Sequence, residues 1–399
     1  MAVPEVREEV LREVVERLAP IDRAPCSPGE REAAEWIAAR LEKTGAEVAL
    51  EGEPGWGTFP PTIVGLGVAA TAAALLTSRG RRASGGALAA LTLAGLVDEI
   101  QNGPRILRRL VRRRRTTTNV VASLGDRGAP RTLVVLAHHD AAQAGVIFDQ
   151  RLWQALYERF PERVGRAKRQ VPLWWPGLAP PLLTLAAALT ARRGLARAAL
   201  VPAVLGTAAV ADIMRHATVP GANDNLSGVA ALVALAEMLA ERPIDGLRVL
   251  LVSCGSEEAL QDGVRGFVRS HAHELEVGRT WFVVVDTIGS PHLVMVEGEG
   301  PVWHEEYPGP EFRDLVERRA VALGIPLERG IRTRASTDGI IPSRAGHPVA
   351  TLVSLMPWRQ PGNYHQMSDV PENVEYGSVA NAARLTCAVA ESLAEGAAE

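Results

Sequence analysis

The sequence predicts an α/β fold in which helices flank a mostly parallel central sheet. Apolar runs of strand length alternate with amphipathic stretches of helix length, and this alternation is typical of a sheet with helical crossovers. Strands are expected at about 47–50, 119–124, 132–137, 247–254, 281–286 and 349–355. Helices are expected at about 4–19, 29–44, 226–240, 310–323 and 379–394. The spacing therefore favours one large α/β core rather than several small domains.

Two pairs of apolar runs interrupt this pattern, at residues 62–78, 83–97, 171–191 and 198–211. Short basic turns join the members of each pair, at Arg79–Arg82 and at Arg192-Arg193. Runs of about 14–21 residues would reach roughly 21–31 Å as helices, against a hydrocarbon core of roughly 30 Å. The basic flanks, and Trp174-Trp175 at a position suited to a membrane interface, favour two membrane-associated hairpins. The alternative is an apolar helical lid on a soluble protein.

The predicted organisation has five segments: helices and a first strand (1–60), a hydrophobic hairpin with a basic flank (61–115), a core segment (116–145), a second hairpin (146–216) and the remaining core (217–399). Because each hairpin returns the chain to the side it left, the core lies on one side of the membrane. That side carries more basic residues than the hairpin tips, which predicts that the core is cytoplasmic. A soluble cytoplasmic protein is the alternative. The run Arg112–Arg115 is either a solvated charge patch or a contact for anionic membrane lipid.

Composition excludes several classes of protein. The formal net charge is -3 among 399 residues, so charge gives no support for nucleic acid binding. The cysteines Cys26, Cys254 and Cys387 are far apart and form no CxxC pair, which argues against a disulfide scaffold and a structural zinc site. The first twenty residues are charged throughout and lack the apolar region of a signal peptide.

Metal-binding side chains follow several of the predicted strands. His138 and Asp140 close the run LVVLAHHD, Glu257-Glu258 follow LRVLLVSC, and Asp286 closes WFVVVD. Parallel sheets bind ligands at the carboxyl ends of their strands, so these groups are expected to converge. His138 and Asp140 lie on the same face of an extended segment, which would let Asp140 accept a hydrogen bond from a metal-bound imidazole.

Two further candidates lie in loops. Asp224 stands in GANDNLSG, a turn that leads into an apolar helix, and His365 stands in NYHQMSD after the last strand. Alone, Asp224 would be read as a helix cap and His365 as an ordinary loop histidine. Taken together, however, the candidate ligands are two imidazoles and three carboxylates: His138, Asp224, Glu258, Asp286 and His365.

Electrostatics link these residues. Carboxylates about 4 Å apart repel by roughly 4 kcal/mol per pair at an effective dielectric of about 20. Four of them, at Asp224, Glu257, Glu258 and Asp286, would therefore need bound cations. Imidazole and carboxylate ligands suit two zinc ions, with cobalt or manganese as replacements. Glu257, beside a ligand, stands where a general base is needed.

The motifs H-x-D, G-A-x-D-x-x-S-G, E-E, D and Y-H occur here in a fixed order, and in that order they resemble the dizinc aminopeptidases of clan MH. These are enzymes of the aminopeptidase Y and bacterial leucyl aminopeptidase type, related to glutamate carboxypeptidase and glutaminyl cyclase. The resemblance covers about residues 29–60, 116–145 and 217–395 and excludes the hydrophobic hairpins. It implies a zinc-peptidase sandwich fold, a peptide substrate and two zinc ions per chain.

The resemblance also implies a role for each site residue. Asp224 would bridge both metals, with His138 and Asp286 completing one zinc site and Glu258 and His365 the other. Glu257 would be the general base and Asp140 the partner of His138. Tyr364 is a candidate for stabilising the oxyanion, and a cis peptide bond is expected between Asp224 and Asn225.

Two segments depart from the family pattern. The expected G-L-x-G-S after the glutamates is ALQDGVRGF here, and the expected S-D-H is replaced by Ser336-Thr337-Asp338-Gly339. Both segments shape the substrate pocket in the family. Two alternatives to a peptidase stay open: a single-zinc acyltransferase similar to glutaminyl cyclase, and a membrane-bound binding protein that has lost catalysis. The presence of His138 with Asp140 argues against the first, and the complete ligand set argues against the second.

Overall fold

A nine-stranded sheet forms the centre of the computed structural model, which describes residues 4–170 and 174–396. Its strands are β1 (Glu47–Gly55), β2 (Arg115–Gly125), β3 (Thr132–His138), β4 (Arg248–Cys254), β5 (Thr280–Val285), β6 (His292–Glu299), β7 (Glu305–Glu306), β8 (Glu328–Arg332) and β9 (Val349–Leu355). Their spatial order is β1-β2-β4-β3-β5-β9-β6-β7, and β8 pairs with β6. The central strands β4, β3, β5 and β9 are parallel, and antiparallel pairs lie on both sides. The predicted fold class is confirmed, with a sheet that is mostly but not entirely parallel.

The described helices are α1 (Glu8–Leu18), α2 (Pro28–Glu42), α3 (Pro60–Ser78), α4 (Arg82–Ile100), α5 (Ile106–Val111), α6 (Arg151–Arg159), α7 (Pro161–Gly165), α8 (Trp175–Thr190), α9 (Arg193–Ile213), α10 (Ser227–Glu241), α11 (Asp262–Ser270), α12 (Pro310–Ala322), α13 (Ile340–Arg344) and α14 (Tyr376–Ala394). One sheet face packs against α1, α2, α10, α12 and α14, and the other against α11 and α13. Successive residues of β3 alternate between the two cores, because neighbouring strand side chains point to opposite faces.

Every strand and helix expected from the sequence is present. The strand at 349–355 has the predicted bounds, and β1 is longer than expected, continuing to Gly55. The elements without a sequence prediction include β6, β8 and α11. Strand β8 reads ERGIR, and most of its side chains are half-buried, so it lacks the apolar run of a central strand.

The four apolar runs fold into the helices α3, α4, α8 and α9, which pack together as a bundle. At the tips of the hairpins, Arg82 Nε donates to the Ala188 carbonyl oxygen at 2.8 Å, so the two tips meet. Helices α3 and α9 approach so closely that a Cβ on Gly67 would lie 2.2 Å from the Thr207 hydroxyl. A small residue at Gly67 is therefore required for this contact.

Among the described residues, three of these helices, α3, α4 and α9, are long and apolar enough to cross a membrane. Helix α8 has only 16 residues, or about 24 Å at 1.5 Å per residue, so the expectation of four such runs holds for three. Residues 171–173 at the start of that run lie outside the described part of the chain. The outer faces of the bundle expose large apolar side chains, as at Leu91, Leu189 and Val201, which are 71%, 75% and 65% exposed.

Two of the arginines that the sequence analysis counted on the core's side of the membrane are buried rather than on the surface. Arg105 and Arg108 follow α4 and are fully buried, where they pair with Asp262 and Glu99 respectively. They are structural ions rather than membrane-facing charges, because a buried guanidinium needs a carboxylate partner. The excess of positive charge beside the hairpins is therefore smaller than the sequence count indicates.

Candidate functional site

The candidate site lies at the carboxyl edge of the parallel strands. His138 is the last residue of β3, and Asp286 directly follows β5. Glu257 and Glu258 lie in the turn after β4. Because β4, β3 and β5 are adjacent and parallel, their ends bring these four side chains to one place. The convergence expected from the sequence is present.

Asp224 reaches the same place from the turn Ala222–Leu226, which precedes α10. The carboxylate of Asp369 holds this turn, because its two oxygens accept from the backbone N–H of Asn223 at 2.7 Å and of Asp224 at 3.0 Å. The Asp224–Asn225 peptide bond is cis, as expected. Helix α10 begins after Leu226, so Asp224 does not cap it, and the Asp224 carboxylate faces His138 and His365 in the site.

Two groups of three ligands share Asp224. One contains His138, Asp224 and Asp286, and the other Asp224, Glu258 and His365; within each group the ligand atoms lie within 4.8 Å of one another. His138 Nε2 lies 3.3 Å from Asp224 Oδ1, and His365 Nε2 lies 3.2 Å from Asp224 Oδ2. The two oxygens of Asp224 thus face different histidines. The resemblance implies this division into two sites around a shared carboxylate.

The charges in this cluster perturb each other strongly. Burial raises the pKa of Glu257 well above its usual range and that of Asp286 to about 7. Burial opposes a charge on His365, but the carboxylates of Glu258 and Asp224 outweigh it and raise the imidazole pKa to about 10. Burial would likewise raise the pKa of Asp224, but the imidazoles of His138 and His365 beside its two oxygens lower it. Such opposed shifts are typical of a buried cluster of functional groups.

The donor set fits zinc. Asp224 Oδ2, Glu258 Oε1 and both ring nitrogens of His365 are buried and make no hydrogen bond within the described residues. Buried acceptors without partners are costly, and several converging at one place favour a bound cation. Imidazole nitrogens with carboxylate oxygens, in groups of three with room for one more ligand, are the coordination typical of catalytic zinc.

Asp140 lies beside His138, but it also has a second contact that was not predicted. Its carboxylate accepts from the backbone N–H groups of Glu257 at 2.9 Å and Glu258 at 3.0 Å. The distance from Asp140 Oδ1 to His138 Nδ1 is 3.5 Å, and the Asp140 carbonyl oxygen is nearer to that nitrogen, at 3.2 Å. His139 turns the other way and contacts the Ser253 hydroxyl. Asp140 thus links the strand end that carries His138 to the turn that carries both glutamates.

The carboxylate of Glu257 is held from the hairpin side of the molecule. Gln261 Nε2 donates to Glu257 Oε1 and also to the Ser336 carbonyl oxygen. Asn102, just beyond α4, donates in turn to Gln261 Oε1 and to the Ser336 hydroxyl. Gln261 and Ser336 belong to the two segments that depart from the family pattern. Sequence reasoning missed Asn102 and Gln261, since they are 159 residues apart.

A cavity of about 340 Å³ opens from these groups. Tyr364 lines it and stacks on the ring of His365, with 3.9 Å between ring centroids. Phe148 packs edge-on against the same imidazole at 4.3 Å. Asp338 is a further buried group that was missed; burial and the nearby Asp286 raise its pKa to about 7.

A protein-family model matches the part of the chain that carries most of this site. Residues 207–390 match the model of Peptidase family M28, a range that contains Glu257 and every predicted ligand except His138. No curated protein is significantly similar in sequence.

Several solved structures share the fold. Glutaminyl cyclase from Fimbriiglobus ruber aligns with a TM-score of 0.58 at 15% identity, over 98% of this chain and 96% of that one. An aminopeptidase from Aneurinibacillus sp. strain AM-1 aligns with a TM-score of 0.55 at 13% identity, over 97% of this chain and 94% of that one. A leucine aminopeptidase precursor from Bacteroides thetaiotaomicron VPI-5482 gives a TM-score of 0.54 at 13% identity, over 98% of both chains. The chain is thus a zinc-peptidase-fold protein with an M28 match over residues 207–390, which confirms the family resemblance that its motifs predict.

Proposed function

We propose that this protein is a zinc-dependent aminopeptidase that uses two zinc ions and associates with a membrane. The observation that carries the proposal is the pair of ligand groups sharing Asp224. His138 and Asp286 would complete one zinc site, and Glu258 and His365 the other. A shared carboxylate between two three-ligand groups suits hydrolysis, because paired metals can clamp both the attacking and the leaving group.

The chain's own residues supply the proton transfers. When bound, zinc would lower the pKa of a water and polarise the scissile carbonyl. Glu257, next to both groups, would accept the proton of that water and return it to the leaving amine. Gln261 orients Glu257 for this task. Tyr364 lines the cavity, and its hydroxyl would stabilise developing charge on the carbonyl oxygen.

Substrates with and without a free α-amine test the peptidase proposal. Purified protein loaded with zinc is incubated with a Leu-Leu-Ser peptide and with the same peptide acetylated at its N-terminus. Release of leucine from the free peptide alone is expected. Release from both, or internal cleavage, would argue against an aminopeptidase.

The second candidate is an acyltransferase similar to glutaminyl cyclase, since glutaminyl cyclases are among the structures that share the fold. A peptide beginning with glutamine separates the two reactions. Cyclisation releases ammonia and leaves the chain length unchanged, whereas hydrolysis releases free glutamine. A binding protein without catalysis would do neither.

The membrane part of the proposal is supported by the exposed apolar faces of the α3, α4, α8 and α9 bundle. The catalytic core is proposed to lie on the cytoplasmic side. We expect the protein to float with phosphatidylglycerol-containing liposomes and to stay bound after a wash in high salt, since apolar burial is insensitive to screening. A detergent-free preparation that stays soluble and monomeric would contradict membrane association.

Gln261→Met is expected to lower kcat about ten- to hundredfold with little change in KM, because a displaced catalytic group loses its alignment. The matched control is Gln101→Met. Gln101 is also buried, and its side chain is hydrogen-bonded to Trp303, Glu305 and Val302 rather than to Gln261 or Glu257. Equal loss of kcat in both variants would show that Gln261 only supports the fold.

A further inference from the structure

We infer that the substrates of the proposed peptidase are peptides held in the membrane interface, taken into the catalytic cavity at the foot of the helix bundle. The inference rests on the proposed function and names its substrate class. It comes from three features of the structure: an apolar core that joins the bundle to the site, the walls of the cavity, and a set of tryptophans at the level of the cavity.

The apolar core of the bundle continues to the metal ligands. Ile63 of α3, Ile100 of α4, Leu178 of α8 and Ile213 of α9 belong to one buried cluster, so every helix of the bundle contributes. Phe148 packs against this cluster and also contacts the ring of His365. The catalytic groups therefore lie directly at the foot of the bundle, not at a distance from it.

The cavity is walled by residues from the same region. Phe59 precedes α3, Ile100 ends α4, and Trp174 and Pro176 stand at the start of α8; all four line the cavity, as does Trp153 of α6. Phe59 and Trp174 pack edge to face with 5.8 Å between ring centroids. An opening whose walls are the bases of two hairpins lies at the surface of the bilayer when the hairpins are inserted.

The few charges on the cavity wall have local partners, an opposite charge for Asp149 and an aromatic ring for Arg334. Apart from the catalytic cluster, the charged residues among the described lining are Asp149 and Arg334. Asp149 pairs with Arg151 at 2.5 Å, and the Arg334 guanidinium lies 5.3 Å from the centroid of the Trp175 ring. A cavity of about 340 Å³ with such walls accepts large apolar groups rather than charged side chains.

Tryptophans mark the depth at which the bundle would sit. Trp56 lies shortly before α3 with Arg109 over its ring, Trp175 begins α8, and the Trp303 carbonyl oxygen accepts from Gln101 beyond α4. Trp175 and Trp303 are 48% and 50% exposed. Tryptophan is enriched where membranes meet water, and Trp174, next to Trp175, lines the cavity, so the inference places the cavity at that level.

A peptide anchored in the same membrane as the enzyme tests the inference. Two peptides share a free N-terminal Leu-Leu-Ser sequence, and one carries a palmitoyl group on a C-terminal lysine. The enzyme is reconstituted into phosphatidylglycerol-containing vesicles, and both peptides are added to one sample at equal concentration. Leucine release from each is followed by mass spectrometry. We expect the anchored peptide to be cleaved at least about tenfold faster, because both partners share one surface.

Cavity variants separate this effect from simple co-localisation. Trp153→Ala is expected to reduce the advantage of the anchored peptide at least about threefold through loss of apolar contact, and Trp153→Phe to restore most of it. Trp36→Ala is the matched control, since Trp36 is a half-buried tryptophan on α2 packed against the main core. Zinc content is measured for each variant to verify folding.

The outcomes are distinguishable. Cleavage of the soluble peptide at a rate equal to or above that of the anchored one would overturn the inference and leave the peptidase proposal standing. An equal advantage in Trp153→Ala and wild type would also overturn it. Cleavage of neither peptide would overturn the peptidase proposal itself.

Discussion

Replacing Glu257 by glutamine is expected to lower kcat by about 10²–10⁴-fold, the range typical of a lost general base. The amide keeps the size of the side chain and can still contact Gln261, but it cannot accept a proton. Zinc content is expected to match that of the wild-type protein, because Glu257 belongs to neither group that shares Asp224 and lies instead with His138 and Glu258 in a third group. Steady-state kinetics and elemental analysis on the same preparation measure both quantities.

The control for this variant is Glu299→Gln. Glu299 is another fully buried glutamate, at the end of β6, where its Oε2 accepts from the Thr337 N–H at 2.7 Å. Glu299 does not line the cavity, although Thr337 does, and glutamine keeps an oxygen that can accept from the Thr337 N–H, so kcat should stay close to wild type. Retained turnover in Glu257→Gln would refute the role given to Glu257.

The second large effect concerns the shared ligand. Asp224→Asn is expected to abolish binding of both zinc ions and all hydrolysis, because the two oxygens of Asp224 face the two histidines separately. A neutral amide at position 224 also removes one of the negative charges that, together with Glu258 and Asp286, attract cations. His138→Ala and His365→Ala are each expected to lose one equivalent, since each belongs to only one of the groups that share Asp224.

These metal contents are read from elemental analysis after gel filtration in the presence of free zinc. Asp149→Asn serves as the control, because Asp149 is a carboxylate on the cavity wall that pairs with Arg151. Its zinc content should equal that of the wild-type protein. A wild-type zinc content in Asp224→Asn would rule out a bridging role.

Much of the fold could be predicted because central strands have a simple sequence signal. The strands β3, β4, β5 and β9 are almost wholly buried, so each reads as an unbroken apolar run. The ends of these strands then located His138, Glu257 and Asp286. Strand β8 and the short strand β7 are partly exposed and lack such runs, which explains why neither was predicted.

The contacts that hold Glu257 could not be predicted in the same way. Asn102 reaches Gln261 only because the foot of the first hairpin folds back onto the turn after β4. Arg105 fixes that fold by donating to the Leu260 carbonyl oxygen at 2.8 Å and pairing with Asp262. Such contacts depend on the three-dimensional arrangement of an insertion, and the motifs shared with the family contain no information about it. The arginines after α4 were read as surface charge for the same reason.

Elemental analysis of the purified wild-type protein tests the central claim most directly. Two zinc equivalents per chain are predicted, one for each group of ligands that shares Asp224. One equivalent would favour the chemistry of a glutaminyl-cyclase-like acyltransferase. No bound zinc, even after incubation with the metal, would contradict a metallopeptidase and favour a binding protein of the same fold.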